Sequence, residues 1–326
     1  MDINVGLLIS YIVSLLVMIG LPVALVIFVV RRFKVSWWVI LTGVVTYFVS
    51  QAIHYPVLSK TIALLQDGTL PVPADKWIPL YIAVIMGFLA ALFEEGARYF
   101  GFLVVRKKAK RIESGIGLGI GHGGMESLGF ALWPWFPLFG GILFDLIKVI
   151  FYNPGAQIAK GVAMEQVQYF VSYYAQIWAN PWHIGLLPGV ERLISLSTQI
   201  LLSILVWKAV KSRNFGWFAL AFFYHMLVNG ISVFLQYSGW SYWPIEGIMA
   251  VFMLANLYLI YYFWKEESDK DDEDEDEDED EEDDEDEDEE DDEENDDEND
   301  VDEEVEEEEE EDEEEDEEED DKPEKA

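Results

Sequence analysis

Residues 78–105 read IPLYIAVIMGFLAALFEEGARYFGFLVV, an apolar run interrupted by Glu94, Glu95 and Arg98. About 20 apolar residues suffice to carry a helix across roughly 30 Å of hydrocarbon. In that medium the backbone has no water to bond, so an isolated span must be helical. Two carboxylates and a guanidinium inside such a span are costly, and groups of this kind mark candidate functional sites. The stretch therefore points to an all-α, polytopic transmembrane bundle with a polar centre inside it.

The rest of the chain is two materials joined end to end. Residues 1–265 carry 18 Lys or Arg against 11 Asp or Glu, whereas residues 266–326 carry 3 against 51. The overall charge of −41 thus describes the tail alone. The first part, 1–265, is expected to be the membrane domain and 266–326 a disordered polyacidic tail, since the latter has almost no apolar surface to bury. There is no Cys, which excludes disulfides, thiolate nucleophiles and Cys-ligated metals. The N-terminal MDIN lacks a positive n-region, so the first apolar run is expected to be a retained helix.

Seven spans are predicted, at 6–30, 36–55, 78–105, 114–134, 184–208, 215–236 and 242–264. Basic residues cluster after every odd one: Arg31, Arg32 and Lys34; Arg106 to Arg111; Lys208, Lys211 and Arg213; and Lys265. The positive-inside rule then puts the N-terminus outside and the acidic tail in the cytoplasm. Between Pro134 and Pro181 an eighth crossing would break that pattern. An interfacial or re-entrant segment near 137–153 is expected instead, followed by an amphipathic outer helix over Gly161 to Trp178.

Glu95, His122, His225 and Gln199 each lie 9 to 12 residues from the nearest cytoplasmic basic residue. At 1.5 Å per residue all four fall about 14–18 Å below that edge. Each span also gathers polar groups on one face, because residues three or four apart are neighbours on a helix: Glu94 and Glu95 with Arg98, His122 with Glu126, His225 with Asn229. Glycines at 115, 117, 119, 121, 123, 124 and 129 surround His122 and permit close helix approach.

Three readings compete for this polar layer. Ion pairs and interhelical hydrogen bonds could serve as structural glue, and a proton- or ion-coupled transporter would also use Asp, Glu and His at mid-depth. Hydrolysis inside the membrane uses every part: a carboxylate to take a proton from water, and His and Asn donors for an oxyanion. Alternatively His122, His225 and a glutamate, with Glu95 as the first choice, could ligate Zn²⁺ and leave one position for water.

The ordered set Glu94-Glu95-x-x-Arg98, Gly121-His122-Gly123-Gly124-Met125-Glu126, Glu191-Arg192 and His225-x-x-x-Asn229 resembles the bacterial YhfC-type intramembrane metalloprotease family. That family is similar to the CAAX prenyl endopeptidases, the bacteriocin-processing proteases and the PrsW site-one proteases. The resemblance covers roughly Ile78 to Tyr237. It implies an endopeptidase of the prokaryotic cell membrane acting on membrane proteins or peptides. Glu94 or Glu95 would be the base, with Glu95 preferred, and Arg98 its electrostatic partner. His122 would be a ligand or donor, and His225 with Asn229 the last motif. Gln199 departs from the pattern, standing where related sequences carry His, and glutamine is a poor Zn²⁺ ligand. A non-catalytic scaffold of the same fold is the alternative that this departure keeps open.

Other polar residues fall nearer the outer surface. Arg192 is expected to brace the site or line a water path, and His54, His183 and Glu246 to lie at interfacial levels. The site is expected to open toward the cytoplasm. Lipid is the surrounding partner, a basic protein is the kind of partner the tail would suit, and nucleic acid is not expected.

Overall fold

The computed structural model describes residues 3–132 and 142–290. The chain divides into two units, Met1–Asp271 and Asp272–Ala326. Among the described residues all regular structure is helical: α1 Val5–Arg32, α2 Trp37–Gln66, α3 Ile78–Val105, α4 Ile112–Leu132, α5 Ile142–Phe151, α6 Pro154–Ala159, α7 Met164–Trp178, α8 Leu187–Ser212, α9 Phe215–Tyr237 and α10 Tyr242–Glu290. Short 3₁₀ turns precede α3 and α8.

Six helices, α1, α2, α3, α8, α9 and α10, are long and apolar enough to cross a membrane. Their outward faces carry large apolar side chains such as Leu16, Phe100, Val104, Phe223 and Leu254, as contact with lipid requires. The fourth long helix, α4, is of crossing length, but its glycines dilute its hydropathy. It is buried instead, and lies among α1, α2 and α8.

Glycine makes that placement work. A methyl group added at Gly119 would stand 2.6 Å from Ile200 Cα of α8, and one at Gly124 would stand 3.0 Å from Pro22 Cβ of α1. Gly121 and Gly43 meet backbone to backbone across α4 and α2. On the other side of the bundle, Gly87 of α3 faces the carbonyl of Met226 in α9. Small residues thus let helices approach until hydrogen bonding between their polar side chains becomes feasible.

Several predicted boundaries move. Helix α2 runs on to Gln66 rather than ending at 55, with Pro56 inside it. The 10-residue α5 is about 15 Å long, half of what a crossing needs. The remaining part of the suspected re-entrant segment, residues 137–141, lies outside the described residues. The expected amphipathic helix is present as α7, whose Val167, Tyr174 and Trp178 are buried; the last two pack with Leu7, Leu15 and Met18 of α1.

Helix α10 passes its expected end at 264 and continues into acidic sequence as far as Glu290. Residues Glu266 and Glu267 explain the start of that extension. Glu267 pairs with Lys208 at 2.7 Å and Lys211 at 2.9 Å, and Glu266 meets Lys270 one turn on at 2.9 Å. Residues 291–326, which hold most of the predicted disordered tail, lie outside the described residues.

Candidate active site

Helix α3 supplies the centre of the site. Glu94, Glu95 and Arg98 are all buried, and the spacing of three and four turns both carboxylates toward the guanidinium. Arg98 Nη1 donates to Glu95 Oε1, and Arg98 Nη2 lies 3.5 Å from Glu94 Oε2. A buried guanidinium is tolerable only when its donors and charge are answered. Here the answer comes partly from α8, because Nη2 also donates to Gln199 Oε1.

Gln199 therefore occupies the middle of the network. Its amide nitrogen donates to Glu126 Oε2 at 2.8 Å and lies 3.4 Å from Glu94 Oε2. One glutamine can accept from a cation while donating to two carboxylates, a combination that a neutral imidazole cannot supply. Glu126 is held on its other oxygen by Arg192 Nη1 at 2.8 Å, and Arg192 also binds Glu191. The guanidinium of Arg192 lies 4.3 Å from the centroid of the Phe130 ring. It thus reaches the site through Glu126, although the sequence places it a turn or more outward.

The two imidazoles have defined tautomers. Thr46 Oγ1 gives its proton to the carbonyl of Gly43 at 2.7 Å, so at 3.0 Å it accepts from His122 Nδ1. His225 Nδ1 lies 2.5 Å from the Glu95 carboxylate, and the Asn229 amide donates to Nε2 at 3.0 Å. In the neutral rings neither Nε2 carries a proton: that of His225 accepts from Asn229 and lies 3.9 Å from Glu94 Oε2, whereas that of His122 lies 3.4 Å from the same oxygen. His122 Nε2 is buried without a hydrogen-bond partner.

This arrangement is the one observation that bears on a metal. Three carboxylates, Glu94, Glu95 and Glu126, face two guanidiniums, and the His122 Nε2 lone pair faces Glu94 Oε2 with no proton between them, while the His225 Nε2 lone pair is taken by the Asn229 amide. A cation would relieve that repulsion, and orienting hydrogen bonds on the far nitrogens are what metal-binding histidines have. The donor chemistry fits a transition metal. Among the described residues no group of three such side chains is already gathered as a metal cage. The carboxylate facing both Nε2 atoms is Glu94, whereas Glu95 is spent on Arg98 and His225.

A cavity of about 210 Å³ borders the network, lined in part by Gln51, His54, Glu94, Glu126, Asn229 and Ser232. Glu94 and Glu126 keep 10% and 19% of their side-chain surface exposed, whereas Glu95 and Arg98 keep none. The expectation of an opening toward the basic helix ends is not met. The cavity lies on the other side of the network, because tight glycine contacts and aliphatic packing close the basic side.

Helix α2 is the contributor that sequence reasoning missed. Thr46 orients His122, Gln51 donates to Glu94 Oε1 at 3.2 Å, and the Tyr47 ring stands edge-on to His122. The signal was present: Gly43, Thr46, Tyr47, Ser50 and His54 recur at helical spacing along one buried stripe. His54 faces inward and not toward lipid headgroups or solvent. It is buried at the cavity wall with both ring nitrogens unbonded. His183 does lie at the surface, accepting from Trp243 Nε1 at 2.9 Å.

The fold and site together define an integral membrane protein of packed helices with an acid–imidazole–guanidinium centre between α2, α3, α4, α8 and α9. The sequence model of the YhfC intramembrane metalloproteases matches residues 15–252, and the chain belongs to that family. It is also 28% identical over 221 residues to a Bacillus subtilis (strain 168) protein named "Uncharacterized membrane protein YhfC", covering 66% of this chain and 80% of the relative. No solved structure matches.

Proposed function

We propose that the protein is an endopeptidase of the prokaryotic cell membrane that hydrolyses peptide bonds of membrane-associated substrates at Glu94, with its acidic tail in the cytoplasm. The observation that carries this reading is the position of Glu94. It is the one member of the buried Glu94–Glu95–Arg98 cluster that borders the cavity, and the Nε2 atoms of both imidazoles lie within 3.9 Å of it.

In this reading water enters the cavity and gives a proton to Glu94 Oε1, the oxygen on the Gln51 side. The water oxygen bonds to the carbonyl carbon. Negative charge on the carbonyl oxygen is met by Asn229, whose second amide hydrogen is uncommitted, and by the Tyr47 hydroxyl, which is buried without a partner at the cavity wall. The C–N bond then breaks, and Glu94 returns the proton to the leaving nitrogen. Glu95 and Arg98 fix the orientation of His225 and the charge of the cluster without touching the substrate. The residues that would hold a metal ion are His122 through Nε2, Glu94 through Oε2 and His225 through Nε2, which would then give up its hydrogen bond from Asn229. When bound, such an ion would polarise the carbonyl and acidify water.

The test is cleavage of a membrane-tethered peptide by purified wild type, Glu94→Gln and Glu95→Gln. Loss in Glu94→Gln with retained folding is expected. Full turnover by Glu94→Gln rules the mechanism out, and absence of cleavage in wild type alongside a copurifying partner favours a scaffold.

A further inference from the structure

Every helix that brings a residue to the centre has a buried apolar residue next to it on the side of the basic helix ends. Thr46 is followed in that direction by Ile40, Arg98 by Phe102, His122 by Leu118, Gln199 by Leu202 and His225 by Ala221, and all five belong to one packed cluster. These residues are no more than 4% exposed. Backbone contacts between Gly43, Leu118 and Gly121 close the same level further. Among the described residues this layer lies between the centre and a cavity of about 610 Å³ at the basic helix ends, whose lining reaches Phe102 but not Arg98.

In the opposite direction the same helices open. Beyond Glu94 come Ala90 and Met86, beyond Glu126 comes Phe130, and beyond Asn229 come Ser232 and Val233, all lining the cavity. Exposure rises along this line, from none at Glu95 and Arg98 to 10% at Glu94 and 19% at Glu126. His54 adds a buried imidazole with two unbonded nitrogens to the same wall. Unpartnered polar groups of this kind suit a ligand that supplies hydrogen bonds, such as an extended peptide backbone.

We infer that the centre is reached only from the membrane face opposite the basic helix ends, and that it takes peptide segments presented on the extracytoplasmic side. The side follows from the basic clusters after α1, α3 and α8. The class of substrate rests on the hydrolase reading above, whereas the direction of access does not. Substrates would be membrane-anchored chains whose scissile bond lies just outside or within the outer leaflet, with His54 meeting the backbone ahead of Glu94.

The chain has no cysteine, so single-cysteine labelling is free of background. Ser232→Cys and Val233→Cys place a thiol on the cavity wall. Thr69→Cys in the loop after α2 and Ser212→Cys at the end of α8 mark the two membrane faces, both positions being exposed. A membrane-impermeant maleimide applied to intact cells is expected to label Ser232→Cys and Val233→Cys along with Thr69→Cys, and to leave Ser212→Cys unlabelled. Labelling of both cavity thiols only where Ser212→Cys is accessible, or from neither side, overturns the inference. Vesicles of known orientation carrying a tethered peptide on one leaflet test the substrate: cleavage from the Thr69 side is expected, and cleavage from the Ser212 side alone overturns it. If wild type cleaves neither peptide while the labelling pattern holds, the hydrolase reading and its substrate fall and the direction of access stands.

Discussion

Arg98→Met is the most informative single change, because it removes the cation and leaves the shape of the side chain nearly intact. Arg98 has no exposed side-chain surface and answers Glu95, Glu94 and Gln199 together. Its loss leaves the fully buried Glu95 carboxylate with His225 Nδ1 as its remaining contact and leaves Gln199 Oε1 without its donor. Breaking a buried pair from one side costs about 3–5 kcal/mol, mostly the penalty of an uncompensated charge. The same reasoning makes the partner substitution corrective. In Glu95→Gln/Arg98→Met the orphaned charge is gone, so the double variant should be more stable than Arg98→Met alone and the two effects strongly non-additive. Reversible unfolding of detergent-solubilised wild type, both single variants and the double variant closes the cycle. If Arg98→Met unfolds within about 1 kcal/mol of wild type, or if the double variant loses the sum of the single losses, the ion pair is not what holds this centre together.

Gly119→Ala should destabilise by about 1–3 kcal/mol, since its methyl meets the backbone of Ile200, whereas Gly20→Ala, with nothing within 4 Å, should be neutral or stabilising by thermal unfolding. Thr46→Val removes the acceptor for His122 Nδ1 and leaves a buried donor unpaired at a cost of about 1–3 kcal/mol, and cleavage should fall even at temperatures where the variant stays folded. Lys208→Met leaves Glu267 with only Lys211 at 2.9 Å and the exposed Lys270 at 3.7 Å, and the loss of stability should shrink in Glu267→Gln/Lys208→Met. Chelator treatment should abolish peptide cleavage and Zn²⁺ should restore it, with less metal retained by His122→Ala and His225→Ala on elemental analysis; a metal-free active wild type refutes metal chemistry.

Much of the site was legible because depth in a membrane is a linear coordinate. Counting residues from the basic helix ends put Glu95, His122, Gln199 and His225 at one level, and in the bundle Glu95 bonds to His225 and Gln199 to Arg98, with His122 beside Glu94. Counting gives level and not azimuth, however. The choice between Glu94 and Glu95 turns on which side of α3 meets the cavity, and adjacent residues on a helix point about 100° apart. Helix α2 was overlooked for a related reason: Thr46, Tyr47 and Gln51 are uncharged, so they cost little in lipid and stand out only as a stripe once a neighbour is known.

From the sequence came the medium, the helices and the polar level, since each follows from the cost of placing a backbone or a charge in hydrocarbon, a cost paid residue by residue. The tertiary structure alone decided the roles. It turned Gln199 from a missing imidazole into the bridge among Arg98, Glu94 and Glu126, brought Arg192 to the centre through Glu126, and put the cavity on the side away from the basic ends. Those outcomes depend on which faces of separate helices meet, and that is set by glycine contacts between α4, α2 and α8, which no single helix contains.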